Sequence, residues 1–217
     1  IQEQAIPPAL AGRDVIGCAQ TGTGKTAAFV IPMVERLAAL PKGQPQALIL
    51  APTRELALQT LTTIEKLGRS RRISATVIVG GADMQAQVRG LRQRPEILVA
   101  TPGRLLDHMW SGNILLSSIK MLVLDEADRM LDMGFEPAIQ AIQKSLPAKR
   151  QTLMFSATFP EQVKLLSKSY QNSPKEILLD TDTRSEHIEQ LFFEVSIARK
   201  NDALVHLFGQ LKPEQAL

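Results

Sequence analysis

Seven short runs of apolar residues, rich in valine, isoleucine and leucine, recur along the chain. They lie at residues 15–18, 47–51, 75–79, 97–100, 121–124, 152–155 and 176–179. Within each run the hydrophobicity is nearly continuous, which is typical of strands buried on both faces of a parallel sheet. The pattern therefore predicts seven strands of a mostly parallel sheet.

The segments between these runs carry apolar residues at helical spacing, as at residues 25–40, 54–67, 135–145 and 161–170. Alternating strands and helices predict a doubly wound α/β fold with helices flanking the sheet. Right-handed crossovers place the loops that follow the strands on one edge of such a sheet, where ligands bind. Candidate chemistry is therefore expected in those loops.

The pattern changes after Leu179. Residues 180–189 are polar and charged without apolar periodicity, which predicts a linker. Beyond it, residues 190–195 fit a strand and residues 201–211 fit a helix. One strand and one helix cannot bury a core, so this tail is either an addition to the first domain or the start of a truncated second one.

Composition narrows the class of protein. The 217 residues correspond to one or two domains at roughly 150 residues each. The single cysteine, Cys18, excludes an internal disulfide, and the histidines lack metal-ligand spacing. No apolar run approaches the roughly 20 residues of a transmembrane helix. The net charge of +3 is compatible with nucleic acid without requiring it.

A glycine-rich loop follows the first predicted strand and opens the next helix. Its glycines let the backbone approach a phosphate closely, and N–H groups at a helix N-terminus favour an anion. Lys25 would reach the β- and γ-phosphates, and the Thr26 hydroxyl would bind magnesium. The pattern matches G-x-x-x-x-G-K-[ST] except for alanine at its first position. The predicted Mg–nucleoside triphosphate site comprises Ala19, Gln20, Thr21, Gly22, Thr23, Gly24, Lys25 and Thr26.

The same stretch also fits the dinucleotide-binding pattern G-x-G-x-x-A at residues 22–27. That fold needs an acidic residue at the end of the next strand, whereas this chain has Pro-Thr-Arg at residues 52–54. It also gives no role to Lys25 and Thr26. The triphosphate interpretation is therefore preferred.

The predicted strand at residues 121–124 ends in an acidic turn. Asp125, Glu126 and Asp128 bring three carboxylates so close together that they repel one another unless a cation lies nearby. Asp125 would hold magnesium, as the strand-end aspartate of phosphate-loop NTPases does. Glu126 would orient or deprotonate the attacking water. Asp128 lies too far along the turn for the same metal role, and we expect it to make a structural or coupling hydrogen bond.

These motifs occur with several others in a characteristic order. They are Gln2, the loop 19–26, Pro-Thr-Arg-Glu-Leu-Ala at 52–57, Gly-Gly at 80–81, Thr-Pro-Gly-Arg at 101–104, Asp-Glu-Ala-Asp at 125–128 and Ser-Ala-Thr at 156–158. Together they closely resemble the first RecA-like domain of a bacterial-type DEAD-box RNA helicase. The resemblance implies a RecA-like P-loop domain at 1–180, a linker at 181–189 and the truncated start of a second RecA-like domain at 190–217.

The resemblance also implies roles for individual residues. Gln2 matches the glutamine that reads adenine and would select ATP. Ser156 and Thr158 match the motif that links the nucleotide site to strand separation, through hydrogen bonds to Asp128. The matches to RNA backbone contacts are Pro52, Thr53, Arg54, Gly81, Thr101, Gly103 and Arg104. Strand-end loops with N–H groups, hydroxyls and arginines suit phosphates without reading bases.

The implied activity is that of a cytoplasmic ATP-dependent RNA helicase, which uses ATP and Mg²⁺ to separate RNA strands locally. In this family two RecA-like domains close around ATP and one RNA strand, and the second domain supplies arginine fingers, a type of residue worth about 10³–10⁵ in rate. We therefore expect these 217 residues alone to bind ATP weakly and to show almost no RNA-stimulated hydrolysis.

Two alternatives remain open at this point. One is a DNA helicase or translocase of the same superfamily, against which the Asp-Glu-Ala-Asp sequence and Gln2 argue. The other is a non-catalytic RNA-binding scaffold that retains ATP, against which the intact Lys25, Thr26, Asp125 and Glu126 argue.

Other conspicuous residues are predicted only to pack. They are Trp110, Met130, Met133 and Met154.

Without the family context, Thr-Pro-Gly-Arg would be interpreted simply as a helix N-cap with proline at the first helical position.

Overall fold

The seven apolar runs all form strands, and these strands lie in one sheet. The strands are β1 (Val15–Cys18), β2 (Ala47–Leu50), β3 (Ala75–Ile78), β4 (Ile97–Ala100), β5 (Met121–Leu124), β6 (Gln151–Ser156) and β7 (Lys175–Leu178). Their order is β3-β4-β2-β5-β6-β1-β7, and every neighbouring pair is parallel. The predicted parallel sheet is confirmed.

The structure, a computed structural model, describes residues 1–179 and 191–212. The chain separates into two units, Ile1–Thr181 and Asp182–Leu217, and the sheet belongs to the first. The predicted linker at 181–189 lies outside the described residues. Within the described ranges, no helix is both long enough and apolar enough to cross a membrane.

Helices cover both faces of the sheet, as predicted. One face carries α1 (Gln2–Leu10), α2 (Lys25–Ala38) and α3 (Arg54–Gly68). The other carries α4 (Met84–Arg92), α5 (Pro102–Trp110), α6 (Ala127–Asp132), α7 (Glu136–Lys144) and α8 (Glu161–Tyr170). Successive strand residues point to opposite faces, so a strand covered on both sides must be apolar at every position. This accounts for the five central strands, β1, β2, β4, β5 and β6, whose residues are all buried. The prediction of burial on both faces is wrong for the edge strands β3 and β7, in which only Ile78 and Ile177 are buried.

Parallel pairing places the carboxyl ends of all the strands on one edge of the sheet. β5, β6 and β1 are consecutive in the strand order, and so are β3, β4 and β2. The loops after the first three strands carry the phosphate-loop, Asp-Glu-Ala-Asp and Ser-Ala-Thr motifs. The loops after the other three carry the motifs assigned to RNA. The topology therefore brings each set of motifs together in space.

The tail differs in part from its prediction. The helix expected at 201–211 forms as α9 (Lys200–Leu211). The strand predicted at 190–195 does not form in its described part, because residues 191–196 have no regular secondary structure. A strand needs a neighbour to pair its backbone groups, and the described residues of this unit contain no other strand.

The packing predictions hold for two residues and fail for two. Met130 and Met154 are fully buried, whereas Trp110 is 76% exposed and Met133 is 48% exposed. Trp110 is the last residue of α5, and Met133 caps the end of α6. Both side chains leave the apolar layer where their helix ends.

Candidate nucleotide-binding and RNA-binding site

The loop between β1 and α2 has the backbone conformation of an anion-binding loop. Gly22 and Gly24 have φ values of 80° and 88°, a left-handed conformation that favours glycine. Gly24 is the N-cap of α2, and no side chain caps this helix. The first N–H groups of α2 therefore face a prospective ligand. Within the loop, the Thr23 hydroxyl donates to the Gln20 carbonyl at 2.7 Å.

Lys25 places a buried positive charge beneath this loop. Its side chain is nearly covered, and Nζ donates to the Ala19 carbonyl at 2.7 Å. None of the ion pairs among the described residues involves Lys25. The charge of Lys25 acts on Asp125, but no carboxylate lies within ion-pair distance of it among the described residues. A buried cation in this position is suited to an anionic ligand such as a triphosphate.

A cavity of about 280 Å³ joins the loop to the acidic turn. Its walls include Lys25, Thr26, Asp125 and Glu126, which are about a hundred positions apart in the sequence. A third wall comes from α3, which sequence reasoning did not assign to the nucleotide. That wall consists of Leu56, Gln59 and Thr60. In the sequence, these residues lie at helical spacing from Thr53, and this spacing was the only sign that they could share a site with it. The packing of α3 shows that they face the cavity.

Asp125 has the environment of a cation ligand. It is 6% exposed, and burial together with the charge of Glu126 raises its pKa to about 7. A cation at this position would favour the ionised carboxylate. The described residues contain no cluster of three His, Cys, Asp or Glu side chains that could hold a metal. One carboxylate and the Thr26 hydroxyl nevertheless fit Mg²⁺, which takes its other ligands from phosphates and water.

Glu126 stands in an unusual backbone conformation. Its φ of 51° and ψ of 53° are left-handed, which is uncommon and strained for a residue other than glycine. Its Oε2 lies 3.3 Å from Nη1 of Arg129, and the Glu126 side chain is only 12% exposed. Sequence reasoning did not single out Arg129, although its i,i+3 spacing from Glu126 on a helix was a signal.

Asp128 ties the acidic turn to the loop after β6. Its Oδ2 accepts hydrogen bonds from Ala157 N at 3.2 Å, Thr158 N at 2.9 Å and the Thr158 hydroxyl at 2.8 Å. Asp128 N donates to the Ser156 hydroxyl at 3.2 Å, and Ser156 O accepts from Ala19 N at 3.1 Å. The expected hydrogen bonds are present, and Ser156 also reaches the phosphate loop.

Replacement of Asp128 by asparagine should lower the free energy of unfolding at pH 7 by about 1–2 kcal/mol. Burial raises the pKa of Asp128, but hydrogen bonds from Thr158, Ser156 and Arg129 outweigh it, so the pKa is lowered. A lowered pKa adds stability above the unfolded value of about 3.9, and this stability disappears as the pH falls through the folded value. The difference from wild type, measured by urea unfolding, should therefore be smaller at pH 3 than at pH 7.

A matched control lies on the same helix. Asp132 is exposed, and its side chain makes no hydrogen bond or ion pair among the described residues. Asp132→Asn should leave the unfolding free energy unchanged within about 0.5 kcal/mol at both pH values. A difference for Asp128→Asn that stays constant with pH would contradict the role of the ionised carboxylate.

Gln2 lies against the phosphate loop. Its Nε2 donates to the Gly24 carbonyl at 3.3 Å, and a Cβ atom on Gly24 would collide with the Gln2 amide. The side chain is exposed, so its amide is open to a ligand beside the loop. The structure thus brings Gln2 next to the predicted phosphate site.

The residues that match RNA contacts lie in the loops after β2, β3 and β4. Thr53 caps α3 and accepts from Leu56 N at 3.3 Å. Arg54 is exposed, and its Nη1 donates to the Gly81 carbonyl at 3.5 Å. Pro52, directly before them, is buried. These contacts join the loop after β2 to the loop after β3.

The loop after β4 joins the same surface. Arg104 Nη1 donates to the Ala82 carbonyl at 2.9 Å. Thr101 is the N-cap of α5 and Pro102 is at its first position, but the Thr101 side chain makes no capping hydrogen bond. Gly103 is exposed, and nothing lies within 4 Å of where its Cβ would be. The Thr101 hydroxyl and the Gly103 backbone are therefore accessible to a ligand.

A cavity larger than the one beneath the phosphate loop lies elsewhere in the first unit. This cavity of about 480 Å³ lies between α7 and α8 and is lined mainly by glutamine, leucine and tyrosine. Its charged residues are Glu136 and Lys144, and no glycine-rich loop faces it. The smaller cavity beneath the phosphate loop is the better candidate, because it combines N–H groups, a lysine and carboxylates.

This parallel sheet, with its phosphate loop after β1 and its acidic turn after β5, defines a P-loop NTPase domain of the RecA-like type. The family model of the DEAD/DEAH box helicases matches residues 1–166. The chain therefore belongs to the DEAD/DEAH box helicase family.

Three bacterial relatives resemble the chain along its whole length. It is 43% identical to the DEAD-box ATP-dependent RNA helicase CshA of Geobacillus kaustophilus over 218 residues, which cover 100% of this chain and 46% of that protein. It is 44% identical to the ATP-dependent RNA helicase CshA of Listeria monocytogenes, over 100% of this chain and 42% of the relative. The CshA protein of Bacillus subtilis is 42% identical, over 100% and 44%. The chain thus spans less than half the length of these relatives.

Proposed function

We propose that the chain is the ATP-binding core of an ATP-dependent RNA helicase, which couples hydrolysis of Mg–ATP to local separation of RNA strands. The observation that carries this proposal is the cavity shared by Lys25, Thr26, Asp125 and Glu126. Lys25 and the N-terminus of α2 would hold the phosphates, Thr26 and Asp125 would hold Mg²⁺ partly through water, and Glu126 would orient the attacking water. Gln2 would read the adenine.

RNA is the proposed partner at the loops after β2, β3 and β4. Their accessible groups are a hydroxyl, an arginine and backbone N–H groups, which suit the sugar–phosphate backbone and do not distinguish sequences. The relatives are named as RNA helicases, which supports RNA over DNA as the partner of this chain. The same proposal includes a second RecA-like domain, which is the expected source of the arginine fingers. It also includes a cytoplasmic location.

Two structural connections would couple the sites. Helix α3 has Thr53 and Arg54 at its start and Gln59 and Thr60 on the wall of the nucleotide cavity. A rigid helix of this kind would transmit displacements between RNA and nucleotide. The hydrogen bonds of Asp128 to the loop after β6 form the other connection, and they give Ser156 and Thr158 a role in coupling.

Stimulation of the ATPase by nucleic acid tests this function. In the full-length protein that carries this chain, single-stranded RNA should raise the steady-state rate of phosphate release by at least about tenfold, and DNA of equal sequence and length should raise it less than twofold. Equal stimulation by DNA would favour a DNA translocase. Binding of RNA and ATP without phosphate release would favour the non-catalytic scaffold.

A further inference from the structure

The loop after β3 is held by its carbonyl groups. Val79 O accepts a hydrogen bond from Gln87 Nε2 at 2.9 Å. Arg54 and Arg104 bind the carbonyls of Gly81 and Ala82. Three side chains from three helices, α4, α3 and α5, thus fix one short loop.

The N–H groups of the same loop are left without partners. Among the described residues, the amides of Gly80, Gly81 and Ala82 donate to no protein acceptor. Gly81 has a φ of 71°, a left-handed conformation. In a trans peptide group the N–H points away from the carbonyl, so peptide groups whose carbonyls are bound by these side chains turn their N–H groups the other way. Neighbouring N–H groups of this kind form a site for an anion. On an RNA-binding surface, that anion is a backbone phosphate.

Gln87 is the link in this arrangement that sequence motifs did not indicate. It is 7% exposed, and its side-chain amide takes part in one hydrogen bond through its NH₂ group and in another through its Oε1 atom. The NH₂ group donates to Val79 O, so the Oε1 atom must accept from the group that faces it. That group is Nε2 of His108, at 3.1 Å.

His108 anchors Gln87 from inside the core. It is fully buried, and burial followed by the charge of Arg104 lowers its pKa, which keeps the ring neutral. A neutral ring that donates from Nε2 must accept at Nδ1, where Asn113 Nδ2 lies at 3.3 Å. The backbone fixes Asn113 in turn, because Asn113 N donates to His108 O at 2.9 Å. An unbroken series of hydrogen bonds therefore runs from Asn113 Nδ2 through His108 and Gln87 to Val79 O.

We propose that Gln87, held by His108 and Asn113, is a positioning residue for RNA binding, which keeps the Val79 carbonyl turned into the protein so that the N–H groups that follow it in the loop after β3 bind a backbone phosphate. The proposal rests on the proposed function, because it explains what holds the loop after β3 in the conformation that would bind RNA. Gln87 and His108 are buried and do not touch RNA themselves. They act at a distance from the nucleotide cavity, whose walls include neither residue.

Affinity for RNA and affinity for nucleotide should separate in a Gln87 variant. Gln87→Met keeps the size of the side chain and removes both of its hydrogen bonds. In the full-length protein, with a non-hydrolysable ATP analogue present, the Kd for a fluorescein-labelled single-stranded RNA should rise about tenfold by fluorescence anisotropy. This factor corresponds to one lost hydrogen bond to a charged group. The Kd for the Mg–ATP analogue, measured without RNA, should change less than twofold.

Gln151 offers a matched control. It is 5% exposed, and its Nε2 binds two carbonyls, Ala9 O at 2.9 Å and Arg13 O at 2.6 Å, away from the loop after β3. Gln151→Met should lower the thermal midpoint as much as Gln87→Met while leaving the Kd for RNA unchanged. If both variants bind RNA like wild type, or lose RNA binding equally, the proposed role of Gln87 is wrong.

A milder variant covers the case in which Gln87→Met does not fold. Asn113→Ala removes only the outermost, partly exposed link, and the Kd for RNA should then rise about threefold with a small change in thermal midpoint. An unchanged Kd would overturn the proposal. Failure of the wild-type protein itself to bind RNA would instead overturn the proposed function.

Discussion

Replacing Lys25 with alanine is expected to weaken the binding of Mg–ATP by at least about 100-fold. Lys25 is buried beside the phosphate loop, and no carboxylate of the described residues lies within ion-pair distance of it. Its loss removes charge-assisted hydrogen bonds to the phosphates, each worth about 1.5–3 kcal/mol, and two of them correspond to about 100-fold or more in affinity. Titration with a fluorescent ATP analogue in the presence of Mg²⁺ measures the change.

The control for this change is Lys66→Ala. Lys66 is exposed in the last turn of α3 and lies outside the cavity, so its loss removes a positive charge without touching the phosphate loop. Its nucleotide affinity should equal that of wild type. A Lys25→Ala variant that folds and binds Mg–ATP within threefold of wild type would refute the assignment of this cavity to the triphosphate.

Replacing Glu126 with glutamine should reduce kcat for ATP hydrolysis by about 10²–10⁴-fold while leaving the affinities for ATP and RNA within about threefold. Glutamine has the same side-chain shape as glutamate and would occupy the same left-handed backbone conformation. Its amide, however, cannot accept a proton from water. It also loses the charge that faces Arg129 at 3.3 Å. Single-turnover hydrolysis in the full-length protein with saturating RNA separates chemistry from product release.

Glu136→Gln is the matched control for the carboxylate. Glu136 is exposed at the start of α7, where it accepts a hydrogen bond from Gln140, and it does not line the nucleotide cavity. Its turnover should equal that of wild type. If Glu126→Gln hydrolysed ATP at the wild-type rate, Glu126 would be neither the base nor the residue that positions water.

Strand and helix positions followed directly from the sequence, because each depends on a short-range pattern. Apolar continuity located all seven strands to within about two residues, and the predicted helix at 161–170 has the same bounds as α8 (Glu161–Tyr170). Context-dependent predictions were less successful. The strand at 190–195 lacks a partner among the described residues of its unit, and Trp110 lies beyond the apolar layer.

The phosphate-loop and acidic motifs could also be identified from the sequence, because their chemistry requires particular residue types at fixed spacing. Their joint position was an inference from topology, and the cavity lined by Lys25 and Asp125 agrees with it. What the sequence could not indicate was the third wall. Gln59 and Thr60 carry no motif of their own, and only the packing of α3 shows that they face the nucleotide cavity.

The sequence by itself therefore determined the parallel α/β sheet, the phosphate loop at its carboxyl edge and the family to which the chain belongs. Only the tertiary structure decided the left-handed backbone of Glu126, the hydrogen bonds of Asp128 and the path from Asn113 through His108 and Gln87 to Val79. The physical reason is distance along the chain. Periodicity and motifs act within a few residues, whereas these contacts join groups that only folding brings within hydrogen-bond reach.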